Sequence, residues 1–282
     1  MKAVANILKF IFITILTICI IAIGCIKIVS STILDQTYIT QKLEETNFYA
    51  ETYELVKSNF ENYIYQSGLD EIVLEDICSE EKVKQDINIM LSNIYEGTNQ
   101  KIETTEIADN LNANIDKLGI KTSKNEKAIQ EFVKHICDSY TNTIIHTKYE
   151  DNINKVYVKI TENLEKINKL ILIVLIVDII FIIAINNKKI SKDIQHAGIA
   201  LLASSMFELT ACNIVKAKVN IAGIKIFNDT FSKAVVAIIQ DIIGKIVSLG
   251  ITTLIIAIIL IIIYAIIEAF TQKKEDVETT DK

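Results

Sequence analysis

Two acidic side chains sit where hydrocarbon would surround them. Asp178 falls near the middle of an apolar run over residues 170–185, and Glu208 near the middle of a second, weaker run over 197–215. An ionised carboxylate at mid-bilayer costs ~2.5–3.5 kcal/mol on insertion scales, so each is expected to face protein or water. If the two share a depth and approach each other, they read as a proton or cation site. Ser204, Ser205, Thr210, Asn213, Thr252 and Thr253 would be its lining. The competing reading keeps one or both carboxyls protonated and hydrogen-bonded across packed helices, or leaves Glu208 shallow in the interface.

Few other residues have spacing suited to chemistry. Cys78 and Cys137 lie outside the apolar runs, where a disulfide between two helices is one reading and two isolated core thiols the other. Cys19, Cys25 and Cys212 fall in apolar segments, and the absence of a CxxC or Cys/His array argues against zinc. Glu131, His135 and Asp138 share one helical face, and His146 follows eleven residues after His135. That offset is ~16 Å along a helix, too far for one ion, so the face reads as solvated. His196 is juxtamembrane, with no partner evident. No Ser-His-Asp order, glycine-rich phosphate loop or paired-carboxylate spacing stands out, so the expectation is no enzyme, no bound metal and no cofactor.

The elements that would hold these residues are helices. Half of the 282 residues are hydrophobic and mean hydropathy is +0.34, too apolar for a soluble protein of this charge content. There is no proline, and all 29 basic side chains are lysine. Such a composition leaves helices uninterrupted by ring constraints, and the isoleucine excess accompanying it is discounted as a strand signal. Residues 31–168 hold 25 acidic residues against 14 lysines, net −11, while the rest of the chain is net +5. An acidic middle module is a poor nucleic-acid ligand, so none is expected.

The order along the chain is an N-terminal anchor (1–30), an acidic helical bundle (31–168), a membrane part (169–271) and a tail (272–282). The first span covers 10–26. Its Ala22-Ile23-Gly24-Cys25 faintly resembles a bacterial lipobox, but alanine stands where leucine is usual, which favours an uncleaved anchor. In the bundle, apolar stripes at helical spacing run through Tyr49, Tyr53, Val56, Phe60 and Tyr63, and through Val83, Ile87, Met90 and Ile94. Two more follow, Ile107, Leu111, Ile115 and Leu118, then Ile129, Val133, Ile136, Tyr140 and Ile144. Stops are read at Gly68, Gly97 and Gly119, and Phe48 and Tyr65, off the main stripe, as possible contacts for a partner. A fifth stripe, Val156, Ile160, Leu164 and Ile167, continues without a breaker into the span over 170–186. Further spans are read at 197–215 and 246–268, with an amphipathic interfacial helix at about 230–245.

The fold class is therefore all-α: an integral membrane protein with four transmembrane helices, the third weak, and a helical bundle between the first two. Lys2 and Lys9 before the first span, and Lys188, Lys189 and Lys192 after the second, place both of these ends in the cytoplasm by the positive-inside rule. Four spans put the C-terminal tail there too, whereas a segment 197–215 that does not cross would leave the tail outside. The bundle is then extracytoplasmic. The stretches YELVKSNFENYIYQSGLD (53–70) and SEEKVKQDINIMLSNIYEGT (79–98) resemble the outer loop of a loose group of uncharacterised multi-pass membrane proteins from low-GC Gram-positive bacteria. The resemblance implies a helical loop after the first span and carries no activity. In topology alone, the arrangement also resembles FtsX-type permease-like subunits, without a matching motif.

Two functions fit. One is an extracytoplasmic binding, sensing or scaffolding module in the cell membrane that meets an envelope or membrane partner, or a second copy of itself. The other is a transport or permease-like subunit working through Asp178 and Glu208. Membrane lipids are partners in either case, and no small-molecule ligand is specified.

Overall fold

Backbone donors that are never removed by proline give long helices, and a computed structural model, describing residues 2–122, 124–144, 150–186 and 189–280, has that character. Among the described residues there are nine α-helices and no strand, apart from an isolated bridge between Ile226 and Asn228. They are α1 (Lys2–Ser30), α2 (Gln36–Glu45), α3 (Phe48–Ser67), α4 (Glu80–Glu96), α5 (Thr105–Lys117), α6 (Glu126–Ile144), α7 (Glu150–Ile185), α8 (Ile190–Lys218) and α9 (Asp229–Thr280). Helices α1, α7, α8 and α9 are each long and apolar enough to cross a membrane, α8 being the least apolar. His146 and Lys188 lie outside the described residues.

The chain divides into two compact units. The bundle unit is Ile33–Ile160 together with Lys225–Ala237; the other is Met1–Thr32, Thr161–Ile224 and Ile238–Lys282. The amphipathic helix expected at about 230–245 is continuous with the last apolar run, because α9 is unbroken from Asp229, and its first turns pack within the bundle unit. Phe231 meets Phe48 edge-on at 5.9 Å, Ala234 is buried in the bundle core, and Lys233 pairs with Glu51 at 2.7 Å. Phe48 is consequently core and not a free contact residue.

Most of the bundle follows from its stripes. Ile129, Val133, Ile136, Tyr140 and Ile144 of α6 are all buried, as are Ile107, Leu111 and Ile115 of α5. In α3 the buried face ends on Ile64 instead of Tyr63, which turns outward. The glycines at 68, 97 and 119 end their helices with positive φ, and the Ser79 hydroxyl caps α4 by accepting from Lys82 N at 3.2 Å. Helix α2 and the 3₁₀ turn Glu71–Leu74 are additions to the expected elements; Asp35 caps the former and Asp70 the latter. The α7 stripe is a correction. Val156, Ile160 and Ile167 are exposed, and within the bundle unit α7 is held through other residues. The Asn154 amide donates to the carbonyls of Asn93 and Ile94 in the last turn of α4, at 3.2 and 2.8 Å, and Tyr157 packs edge-on against Tyr95 at 4.9 Å.

The bundle core also encloses a charge. Asp86 is 1% exposed, accepts from Lys82 Nζ at 2.9 and 2.8 Å, and accepts from the Tyr140 hydroxyl at 2.5 Å. Burial, and then the bond to Asp86, push the Tyr140 hydroxyl far above the usual tyrosine range. Burial likewise pushes Tyr49 and Tyr95 up to about 12. Asp86→Ala is expected to destabilise the bundle by about 2–4 kcal/mol, because it strands a buried hydroxyl and an ammonium, and Tyr140→Phe by about 1–3 kcal/mol. Thermal unfolding of the detergent-solubilised chain, followed by circular dichroism, checks both. These tyrosines favour the neutral form in the folded state, so their contribution is complete below their unfolded value of about 10 and fades as pH rises above it. The melting temperature should therefore fall beyond about pH 10, less steeply in Tyr140→Phe.

Candidate functional site

Within the membrane unit, α1 packs on α7 and α8 through a small core of Leu16, Ile182 and Ala200, with Phe12 and Phe181 stacked at 5.1 Å. Asp178 lies one turn before Ile182 and is 2% exposed, so it faces protein, as expected for an intramembrane carboxyl. Neither of its oxygens has a hydrogen-bond partner among the described residues. Glu208 is 3% exposed; its Oε1 accepts from the Ser204 hydroxyl at 3.3 Å and its Oε2 has no such partner.

Small residues make room for Glu208. A Cβ added at Gly24 would stand 2.5 Å from Leu249 Cδ2 and 3.8 Å from Glu208 Oε1. A Cβ added at Gly250 would stand 3.1 Å from Leu209 and 3.4 Å from the Glu208 Cβ. Helices α1, α8 and α9 therefore converge on Glu208 by the close backbone approach that small residues permit. Of the expected lining, Ser204, Ser205 and Thr253 are buried, whereas Thr210, Asn213 and Thr252 are exposed.

No hydrogen bond joins Asp178 to Glu208 among the described residues. The chemistry available is two buried carboxyls, of which Glu208 lies against a hydroxyl and the close approach at Gly24.

The remaining candidates are placed individually. Cys78 and Cys137 are free thiols, not a disulfide; Cys78 Sγ donates to Ser79 O at 3.7 Å and Cys137 Sγ to Thr104 O at 3.9 Å. Burial pushes the Cys78 thiol up to about 12 and raises Cys137 too, and since the thiolate is the nucleophile, neither is activated. His135 lies flat against Tyr63, with ring centroids 6.2 Å apart. His196 is buried and does have a partner, the Asn186 amide at 2.9 Å from its Nδ1, and Asn186 also donates to Asp193 at 2.8 Å. Among the described residues, no group of three or more His, Cys, Asp or Glu is arranged to hold a metal ion.

One feature of the bundle has no counterpart in the sequence reading. A groove of about 510 Å³ runs between α3 and α6, lined by Asn59, Asn62, Tyr63, Asn142, Thr143 and Asn228. Its remaining lining is Leu55 and Ser139, so no charged side chain borders it. The Asn59 amide donates to Thr143 Oγ1 at 2.9 Å across the groove. The signal was present locally, since 59 and 62 on α3, and 139, 142 and 143 on α6, each share a helical face. Which helix faces which was not.

No protein-family model matches the chain, and neither a curated protein nor a solved structure matches it.

Because Asp178 makes no hydrogen bond among the described residues, replacing it by an apolar residue of similar size removes a desolvation cost and leaves none of them without a partner. Asp178→Leu is expected to stabilise the membrane unit by about 1–3 kcal/mol. Thermal unfolding in detergent checks this, and a lower melting temperature would reveal a stabilising role for the carboxyl.

Proposed function

We propose that the chain is a non-enzymatic binding or sensing module of the cell membrane, with its helical bundle on the extracytoplasmic side and both termini in the cytoplasm. The observation that carries the reading is the groove between α3 and α6: an open, uncharged, amide-rich concavity on a bundle that is otherwise strongly acidic. Polar groups set in a concavity are what fixes the orientation of a ligand, and here they would do so without ion pairing. An envelope or membrane partner, or a second copy, would receive the consequence of binding through α7 or α9, each of which contributes residues to both units.

The chain path supports the topology. Residues 225–237 rejoin the bundle after α8. If α7 carries the chain across the membrane, α8 carries it back, and α9 then ends on the side where α1 begins. On that path Lys2, Lys9, Lys189 and Lys192 would share one side, which the positive-inside rule assigns to the cytoplasm.

The transport reading keeps one supporting observation, the unpartnered oxygens of Asp178 and Glu208. No hydrogen bond joins the two among the described residues, which weakens it, because a relay or shared ion site needs groups within reach of each other.

Two measurements test the proposal. Tyr65 is 90% exposed, and Tyr65→Cys in a background without native cysteines should react with a membrane-impermeant maleimide on intact cells; protection until lysis would place the bundle inside. A photoreactive benzoylphenylalanine at position 63 should yield an adduct in cells, unchanged by Asp178→Asn with Glu208→Gln, while the same probe at position 65 yields none. Equal behaviour at the two positions would remove the groove as a site.

A further inference from the structure

The lining of the α3–α6 groove specifies more than a generic ligand. Four of its side chains are asparagines, two carry aliphatic hydroxyls, one is a tyrosine and one a leucine. An amide presents two donors and an acceptor on a short, stiff stem, and a hydroxyl presents both functions at once. A surface of that kind matches a ligand whose own groups both donate and accept at short spacing. An ionic ligand would find no opposite charge among the lining residues, and anions would also meet the field of a module of net −11. An extended peptide would require a sheet edge or a deep apolar pocket for its side chains. The groove has neither, since Leu55 is its one aliphatic contact.

Tyr63 supplies the remaining element. Its ring is 38% exposed and lies nearly parallel to the His135 imidazole, at 8° between planes and 6.2 Å between centroids, which leaves an aromatic face open to a ligand. A rigid aromatic face beside amides is suited to a ring that has apolar C–H groups on one face and hydroxyls at its rim. The volume of about 510 Å³ lies within the ~300–1,000 Å³ of small-ligand pockets.

We propose that this groove binds a neutral oligosaccharide, with Tyr63 stacking against a sugar ring and Asn62 and Asn142, one from each wall, hydrogen-bonding its hydroxyl or acetamido groups. This rests on the binding-module reading and names the ligand class for its site. Asn62 and Asn142 are exposed and make no core contact, so they can be replaced without unfolding the bundle.

The test uses the full-length chain in a zwitterionic detergent or nanodisc, because sugar-headed detergents would compete. Calorimetric titration with tri- and tetrasaccharides of N-acetylglucosamine and of glucose should give saturable binding to at least one series. Asn62→Ala, Asn142→Ala and Tyr63→Ala should each weaken it by about tenfold or more, the loss of one good contact, whereas Tyr63→Phe and Tyr65→Ala leave it within about twofold. No saturable binding by folded protein, binding indifferent to the first three substitutions, or equal affinity for an oligomer of uronic acids would each overturn the proposal. The photo-adduct at position 63 separates the two levels. An adduct without saccharide binding means the ligand class is wrong and the module stands; the lack of both removes the two together.

Discussion

Inside hydrocarbon there is no water to satisfy a backbone amide or carbonyl, so each must bond within its own helix. Everything in the membrane unit answers to that requirement. With no proline in 282 residues, the ladders of α1, α7, α8 and α9 run unbroken across the lengths a bilayer needs. Because lipid is as apolar as leucine, burial contributes little to holding these helices side by side. Close approach at Gly24, Gly198 and Gly250 and the ring stack of Phe12 on Phe181 do that work instead. Glu208 is accommodated at this point of closest approach, where the helices leave space and a serine hydroxyl.

The bundle obeys the opposite solvent. Its helices are marginal alone and hold together by burying one stripe each. Within that core, Asp86 ties α4 to α6 through Tyr140, and its charge is balanced by Lys82 one turn away on the same helix. The buried carboxylates of the two units thus differ in kind. Asp86 bonds to Lys82 and Tyr140, whereas Asp178 has no hydrogen-bond partner among the described residues and is carried at a cost.

Periodicity located the helices because burial of one face imposes it. The α6 stripe is complete, and the unbroken passage through 154–185 is present as read. Periodicity failed where a stripe had two admissible endings or no guaranteed partner. Tyr63 and Ile64 both continue the α3 spacing, and only the neighbouring helix decides between them. The α7 stripe has the right spacing yet lies exposed, since spacing identifies a face without saying what covers it. Asp86 and the groove were invisible for a common reason: each depends on which helices are neighbours, and sequence spacing describes one helix at a time.

The return of residues 225–237 to the bundle also sets an order of events. Phe231 and Ala234 complete a core whose other members end at Ile144, so during synthesis the bundle waits for about ninety further residues, α7 and α8 among them. Contacts of such long sequence separation form late. The bundle then acquires its full core only after the third apolar helix has been made, and until that point Phe48 lacks the Phe231 ring that it packs against.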